Sequence, residues 1–110
     1  MLAKSQRIPR LLFSAVFAKG KRVHGTNTTL IIAPSPTFVC SVVVSKKVAK
    51  KAHDRNRIKR RLYALVKELT KDNPPALALI IMTKPPIASL TRIQFKAVLQ
   101  VEIGRVQNNR

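Results

Sequence analysis

The segment DRNRIKRRL, Asp54 to Leu62, sets five basic residues and one asparagine between an acid and a leucine. Ile58 and Leu62 stand four apart, and Leu65, Val66 and Leu69 extend the series to i, i+4, i+7, i+8 and i+11. That spacing predicts an amphipathic helix with one apolar stripe toward a core. Asp54 is expected to cap its start, where an acid also meets the positive end of the helix dipole. Asn73-Pro74-Pro75 closes it, since proline constrains the residue before it and cannot continue the ladder. A step of about 100° per residue places Asn56, Arg60, Tyr63 and Lys67 opposite the stripe. Arg57 and Arg61 then flank that face on one side and Lys59 on the other. From residue 55 to 69 such a helix is about 22 Å long, enough to cross a groove and its bordering phosphates.

Upstream, Leu12, Phe13, Val16 and Phe17 gather on one helical face, bracketed by Pro9 and Gly20, which predicts a helix over 9–19. TTLIIA (28–33) and FVCSVVVS (38–45) are β-branched runs separated by PSPT, and they read as two strands, an antiparallel pair. Downstream, LALIIMT (77–83) is a continuous apolar run between turn signals, as expected of an interior strand. Leu90, Ile93, Val98 and Leu99 predict a last amphipathic helix ending near Ile103, followed by Gly104 and a polar tail. The order is α-β-β-α-β-α, with room for one more short strand within 22–30. These elements make one α+β domain over residues 1–110, a two-layer sandwich of helices on a small mixed sheet. The termini, about 1–6 and 105–110, are expected to be flexible.

The chain carries 22 Lys and Arg against four Asp and Glu, a formal net charge of +18 over 110 residues. Self-repulsion on that scale opposes compaction unless a polyanion offsets it. Nucleic acid is the favoured partner, with an anionic membrane surface second. No apolar run approaches the roughly 20 residues needed to span a bilayer. The acid-free, amphipathic N-terminus also fits a transit peptide, but its apolar residues are preferred as the first core helix, and the bacterial cytoplasm is the expected location. Cys40, the sole cysteine, excludes an internal disulfide and reads as a small core residue.

A self-sufficient nuclease finds little support. Metal-dependent cleavage calls for clustered carboxylates, whereas Asp54, Glu68, Asp72 and Glu102 are dispersed. His24 and His53 are not brought together by anything in the sequence, and both read as surface histidines near phosphate contacts. Between Lys46 and Arg61, by contrast, lie nine basic residues: Lys46, Lys47, Lys50, Lys51, Arg55, Arg57, Lys59, Arg60 and Arg61. A solvated helix face normally mixes Glu with Lys four apart. Here like charges stack, so RNA contact is the reading. Arginine forks grip phosphate and stack on bases, and the Asn56 amide can read a base edge or a ribose hydroxyl.

SKKVAKKAHDRNRIKRRL (45–62) resembles the signature of the protein subunit of bacterial ribonuclease P, with its Arg-Asn-Arg helix start continuing Ile-Lys-Arg. FSAVFAKGKR (13–22) is similar to the family's Phe-x-x-Val-Phe-x-x-Gly pattern, and LALIIMTKP to its later strand. The likeness extends from about residue 7 to 103. It implies a noncatalytic partner of a catalytic RNA, one protein per RNA, in a particle that removes the 5′ leader of precursor tRNA. Mg²⁺ would be held mainly by the RNA. It also implies that Arg55, Asn56, Arg57, Lys59, Arg60 and Arg61 contact the catalytic RNA, supported by Lys46, Lys47, Lys50 and Lys51. A cleft beside the first helix would hold the single-stranded leader against Phe13 and Phe17, with Thr28 to Ile31 as its floor. Ordinary core packing is an equal account of the two phenylalanines. The family fold further implies a left-handed crossover joining parallel strands. Tyr63 and Ile31 stand where relatives often carry an arginine and an aromatic, and Ser41 stands in place of a glycine. A ribosomal or other structural RNA-binding protein is the alternative reading.

Overall fold

In a computed structural model the described residues are 7–72 and 74–108. The elements run α1 (Arg10–Lys19), β1 (Lys21–His24), β2 (Thr28–Pro34), β3 (Val39–Val43), α2 (Ala52–Thr70), β4 (Leu77–Thr83), a 3₁₀ turn over Pro85–Ser89, and α3 (Arg92–Asn108). The extra short strand is β1. The expected tail over 1–6 and the Asn73 helix stop lie outside the described residues.

The strands form one mixed sheet in the order β1-β2-β4-β3. β2 pairs with β1 and β4 in antiparallel fashion, and β3 pairs with β4 in parallel. The expected antiparallel β2–β3 hairpin is therefore wrong. β4 inserts between the two, because its continuous apolar run belongs at the sheet centre with both faces covered.

Period-two alternation divides the strand side chains between two cores. Leu30, Ile32, Cys40, Val42, Leu79 and Ile81 join Leu62, Leu65 and Val66 of α2 and Phe95, Leu99 and Ile103 of α3. The opposite face packs Ile31, Val39, Ala78 and Ile80 against Val16 of α1 and against Ile8. α2 and α3 thus form a full helical layer, while α1 covers only part of the other face.

The β3–α2–β4 crossover is left-handed, and the hand follows from residue chirality. In a strand of L-residues drawn N to C upward, a side chain toward the viewer puts that residue's N–H and C=O on the right. Thr28 turns its side chain to the α2–α3 face, where its hydroxyl meets Glu102, and its carbonyl accepts from Gly25 beyond β1. From that face, with β2 upward, β1 stands on the right and β4 and β3 on the left. With β3 and β4 upward instead, the chain leaves β3, passes through α2 in front, and enters β4 on the left. The common hand is the opposite one.

Local chemistry fixes the helix ends. Gly20 N–H donates to Val16 O at 2.7 Å and closes α1. Its φ of −68° is ordinary; the glycine is required by close approach, since a Cβ there would lie 2.6 Å from Ile31 Cγ2. Thr91 and Gln94 exchange backbone-to-side-chain bonds of 3.0 and 3.2 Å, a reciprocal cap that starts α3 at Arg92. α3 then runs through Gly104 to Asn108 rather than ending near Ile103. Glu102, buried on that helix, accepts from Asn27 N and Thr28 Oγ1 and ties the β1–β2 turn to α3.

Candidate nucleic-acid interface

α2 begins earlier than its apolar stripe suggests. Lys51, not Asp54, is the N-cap residue, without a side-chain capping bond. Asp54 sits inside the first turn, where its carboxylate still faces the helix dipole, and pairs with Arg57 at 2.5 Å across an exposed i, i+3 step. The upstream lysines lie on a turn closed by Val48 N donating to Ser45 O at 3.1 Å. Lys46, Lys47, Lys50 and Lys51 are all exposed there.

The six basic-helix residues divide by their surroundings. Arg55 is half-buried, and its Nη1 donates to Ala49 O at 3.0 Å and Lys50 O at 2.8 Å. It clamps the lysine turn onto the helix start. Arg61 is also half-buried, with its guanidinium carbon 6.0 Å from the Phe95 ring centroid. Asn56 and Arg60 are exposed and Lys59 is half-buried; none makes a side-chain hydrogen bond or ion pair among the described residues. These three side chains are available to an incoming ligand without rearrangement.

Tyr63 does not share that solvent face. It is buried, and its hydroxyl accepts the Val42 N–H at 3.1 Å. Burial pushes its pKa above the ordinary 10.0, with the Val42 bond acting in the opposite direction. Its ring lies about 100° from Leu62 on the helix, at the margin of the apolar stripe, and the open edge of β3 draws it inward.

On the opposite sheet face, Phe13 and Phe17 stack with ring centroids 6.1 Å apart and planes 18° apart. Phe17 is 38% exposed and Phe13 half-buried. Arg22 lies with its guanidinium carbon 4.9 Å from the Phe17 centroid and donates to Phe17 O at 3.0 Å. Two expected floor residues sit elsewhere. Ile31 is 0% exposed beneath Val16, in the core under α1. Thr28 is also 0% exposed, and its hydroxyl points through the other face to Glu102.

Register identifies the residues that do border α1. His24, Thr29, Met82 and Val43 form one cross-strand row on the α1 side, next to the row Arg22, Ile31, Ile80 and Ser41, of which Ile31 and Ile80 pack with Val16 of α1. His24 Nδ1 lies 3.3 Å from Thr29 Oγ1. Arg22, Met82 and Val43 were missed from sequence, whereas Thr29 falls within the expected Thr28 to Ile31 floor and His24 was read as a surface histidine near phosphate contacts. Alternation within β1 carries the Arg22 signal once its pairing partner is known.

Among the described residues no group of three His, Cys, Asp or Glu side chains is placed to hold a metal ion. Asp54 is paired with Arg57, Glu68 lies 3.7 Å from Lys96, and Glu102 is engaged with the β1–β2 turn. The carboxylates among the described residues therefore do not fit a resident Mg²⁺ site. Among the described residues no helix is long and apolar enough to cross a membrane.

The family model described as Ribonuclease P matches residues 2–107. A ribonuclease P protein component from Microcystis aeruginosa is 40% identical over 80 residues, 66% of each chain. One from Pseudanabaena is 39% identical over 98 residues, covering 86% of this chain and 84% of its own. The solved structure of the Staphylococcus aureus RNase P protein superposes with a TM-score of 0.81 at 25% identity, covering 94% of this chain and 98% of that one.

Proposed function

The chain belongs to the ribonuclease P protein family, and from that membership we propose a division of labour between its two faces. Membership makes it the protein part of an RNA-processing ribonucleoprotein whose partner is the ribonuclease P RNA. The alternative of a ribosomal protein is not favoured.

On our reading, α2 docks on the catalytic RNA. Asn56, Lys59 and Arg60 make direct contacts, and Arg57 joins them at the edge of the same face. Arg61 contributes from beside Phe95, while Arg55 and the exposed Lys46, Lys47, Lys50 and Lys51 form a second cationic patch at the helix start. The α1 side receives the unpaired 5′ leader of precursor tRNA. Phe13 and Phe17 offer stacking surfaces that tolerate any base, and Arg22 adds a cation beside them. Ile31 supports that surface from beneath through Val16, and Thr28 has no contact role there. The observation that carries this reading is the separation of the two surfaces by the sheet, cationic on α2 and aromatic on α1.

The particle, with one protein per RNA, cleaves the leader endonucleolytically, and this chain supplies no catalytic group. Its four acids are dispersed and three are engaged, so Mg²⁺ falls to the RNA. The cytoplasm is the proposed site of action. Reconstitution tests the reading: purified chain is added to a bacterial ribonuclease P RNA at low Mg²⁺, and leader removal from precursor tRNA is followed. Stimulation over RNA alone is expected. Equal rates with and without the chain would overturn the proposal.

A further inference from the structure

A concave pocket of about 360 Å³ opens between the N-terminal half of α2, the 3₁₀ turn and the start of α3. Its size falls at the low end of small-ligand sites, about 300–1,000 Å³. Ile58, Ile87 and Phe95 supply apolar lining, and all three are buried residues of the main core. Asp54, Arg57 and Arg61 line the same pocket. The Asp54–Arg57 ion pair holds an acceptor and a donor side by side, and Arg61 sets a flat cation against the Phe95 ring.

These groups are matched to a base rather than to a phosphate. A carboxylate in the lining repels a phosphate, whereas the apolar walls and the Arg61 guanidinium plane suit a flat heterocycle. A carboxylate accepts and a guanidinium donates. Side by side they complement an edge with an amino donor next to a ring-nitrogen acceptor. Adenine and cytosine present that edge. On the same Watson–Crick edge uracil and guanine instead put a donor N–H at the ring nitrogen.

We propose that this pocket receives one unstacked adenine or cytosine of the partner RNA, read by Asp54 and Arg57 and stacked near Arg61 and Phe95. The inference rests on the reading of α2 as the RNA face and adds a base-specific contact to it. Phosphate contacts position a protein on nucleic acid, and base contacts specify where it sits. The pocket would thus set the register of α2 on the RNA.

The test uses the full chain and ribonuclease P RNA. Ala88 is exposed and lines the pocket, so Ala88→Phe fills it from outside the core. Dimethyl sulfate probing of adenine N1 and cytosine N3 should show at least one position protected by the parent chain and freed by Ala88→Phe. Affinity should fall about tenfold, within the range for loss of one stacked base, with the salt slope unchanged because no phosphate contact is lost. Asp54→Ala provides an independent variant should Ala88→Phe melt abnormally. It should free the same base while leaving phosphate-driven binding intact. Protection patterns identical in the parent and both variants would overturn the proposal. Failure of the parent chain to prefer ribonuclease P RNA over a ribosomal RNA fragment would overturn the family-level reading first, and this inference with it.

Discussion

The Tyr63 hydroxyl on α2 accepts the Val42 N–H of β3 at 3.1 Å. β3 is an edge strand, and edge strands leave donors open to pairing with other chains. One helix therefore presents Asn56 and Arg60 outward and seals the sheet edge with Tyr63. At Cys40 the same strand is bridged by Arg7. Tyr63→Phe removes the acceptor and leaves a buried donor unmet, at a cost of about 1–3 kcal/mol. Urea unfolding should show that loss, while affinity for the RNA at low temperature stays within twofold.

Arg55 and Arg60 differ in kind despite sharing one motif. Arg60→Ala should lower the salt slope of RNA binding by about one unit, the signature of one lost phosphate contact. Arg55→Ala releases the bonds to Ala49 O and Lys50 O, so the neighbouring lysines lose their placement together. Its slope should fall by more than one unit. Equal slopes for the two variants would show Arg55 to be a simple phosphate contact.

Phe17→Ala should spare assembly with the catalytic RNA and weaken preference for leader-bearing over mature tRNA. Base–aromatic stacking is worth about 1–3 kcal/mol per base, so a loss of roughly five- to a hundred-fold in that preference is expected. Arg22→Ala removes the cation beside the Phe17 ring and should act in the same direction, more weakly. Competition binding with the two tRNA forms measures both.

Stability should decline in alkali for a reason located at Cys40. Burial pushes the Cys40 thiol from 9.0 up to about 12. Above pH 9 the unfolded chain releases this proton while the native chain retains it. The unfolded state is thereby favoured, by up to about 1.4 kcal/mol per pH unit until the native thiol also titrates near 12. Cys40→Ala should remove most of this decline between pH 9 and 10. Tyr63, raised in the same direction, adds its own loss above about pH 10. Denaturant midpoints measured from pH 7 to 11 provide the comparison.

Patterns within single elements were legible before folding. The stripe Ile58, Leu62, Leu65, Val66 located α2 and its buried side. The unbroken run 77–83 marked β4 as an interior strand, and it is one of the two strands paired on both sides, with β2 the other. Cys40 was read as core and is 0% exposed. Element ends were less legible. Lys51 takes the cap position because the turn at Ser45 and the Arg55 clamp carry the helix upstream of its apolar stripe.

The candidate site was half legible for the same reason. Charge crowding and the asparagine among arginines need no tertiary information, since like charges on one segment repel wherever it folds. The α1 surface does need it. Thr28 and Ile31 lie three apart in one strand, hence on opposite faces, and only the packing decides which face belongs to α1. Arg22 enters the site through its register opposite Ile31, a fact that no local pattern in KRVH contains.

By itself the sequence determined the helical stripe, the central strand, the cationic face and the family signature, all written in neighbours along the chain. Tertiary structure alone decided that β4 separates β2 from β3, that the crossover is left-handed, and that Tyr63 turns inward. Each of these depends on partners far apart in sequence. Strand pairing and edge sealing are settled by which apolar faces and unpaired backbone donors remain to be covered once every element is in place.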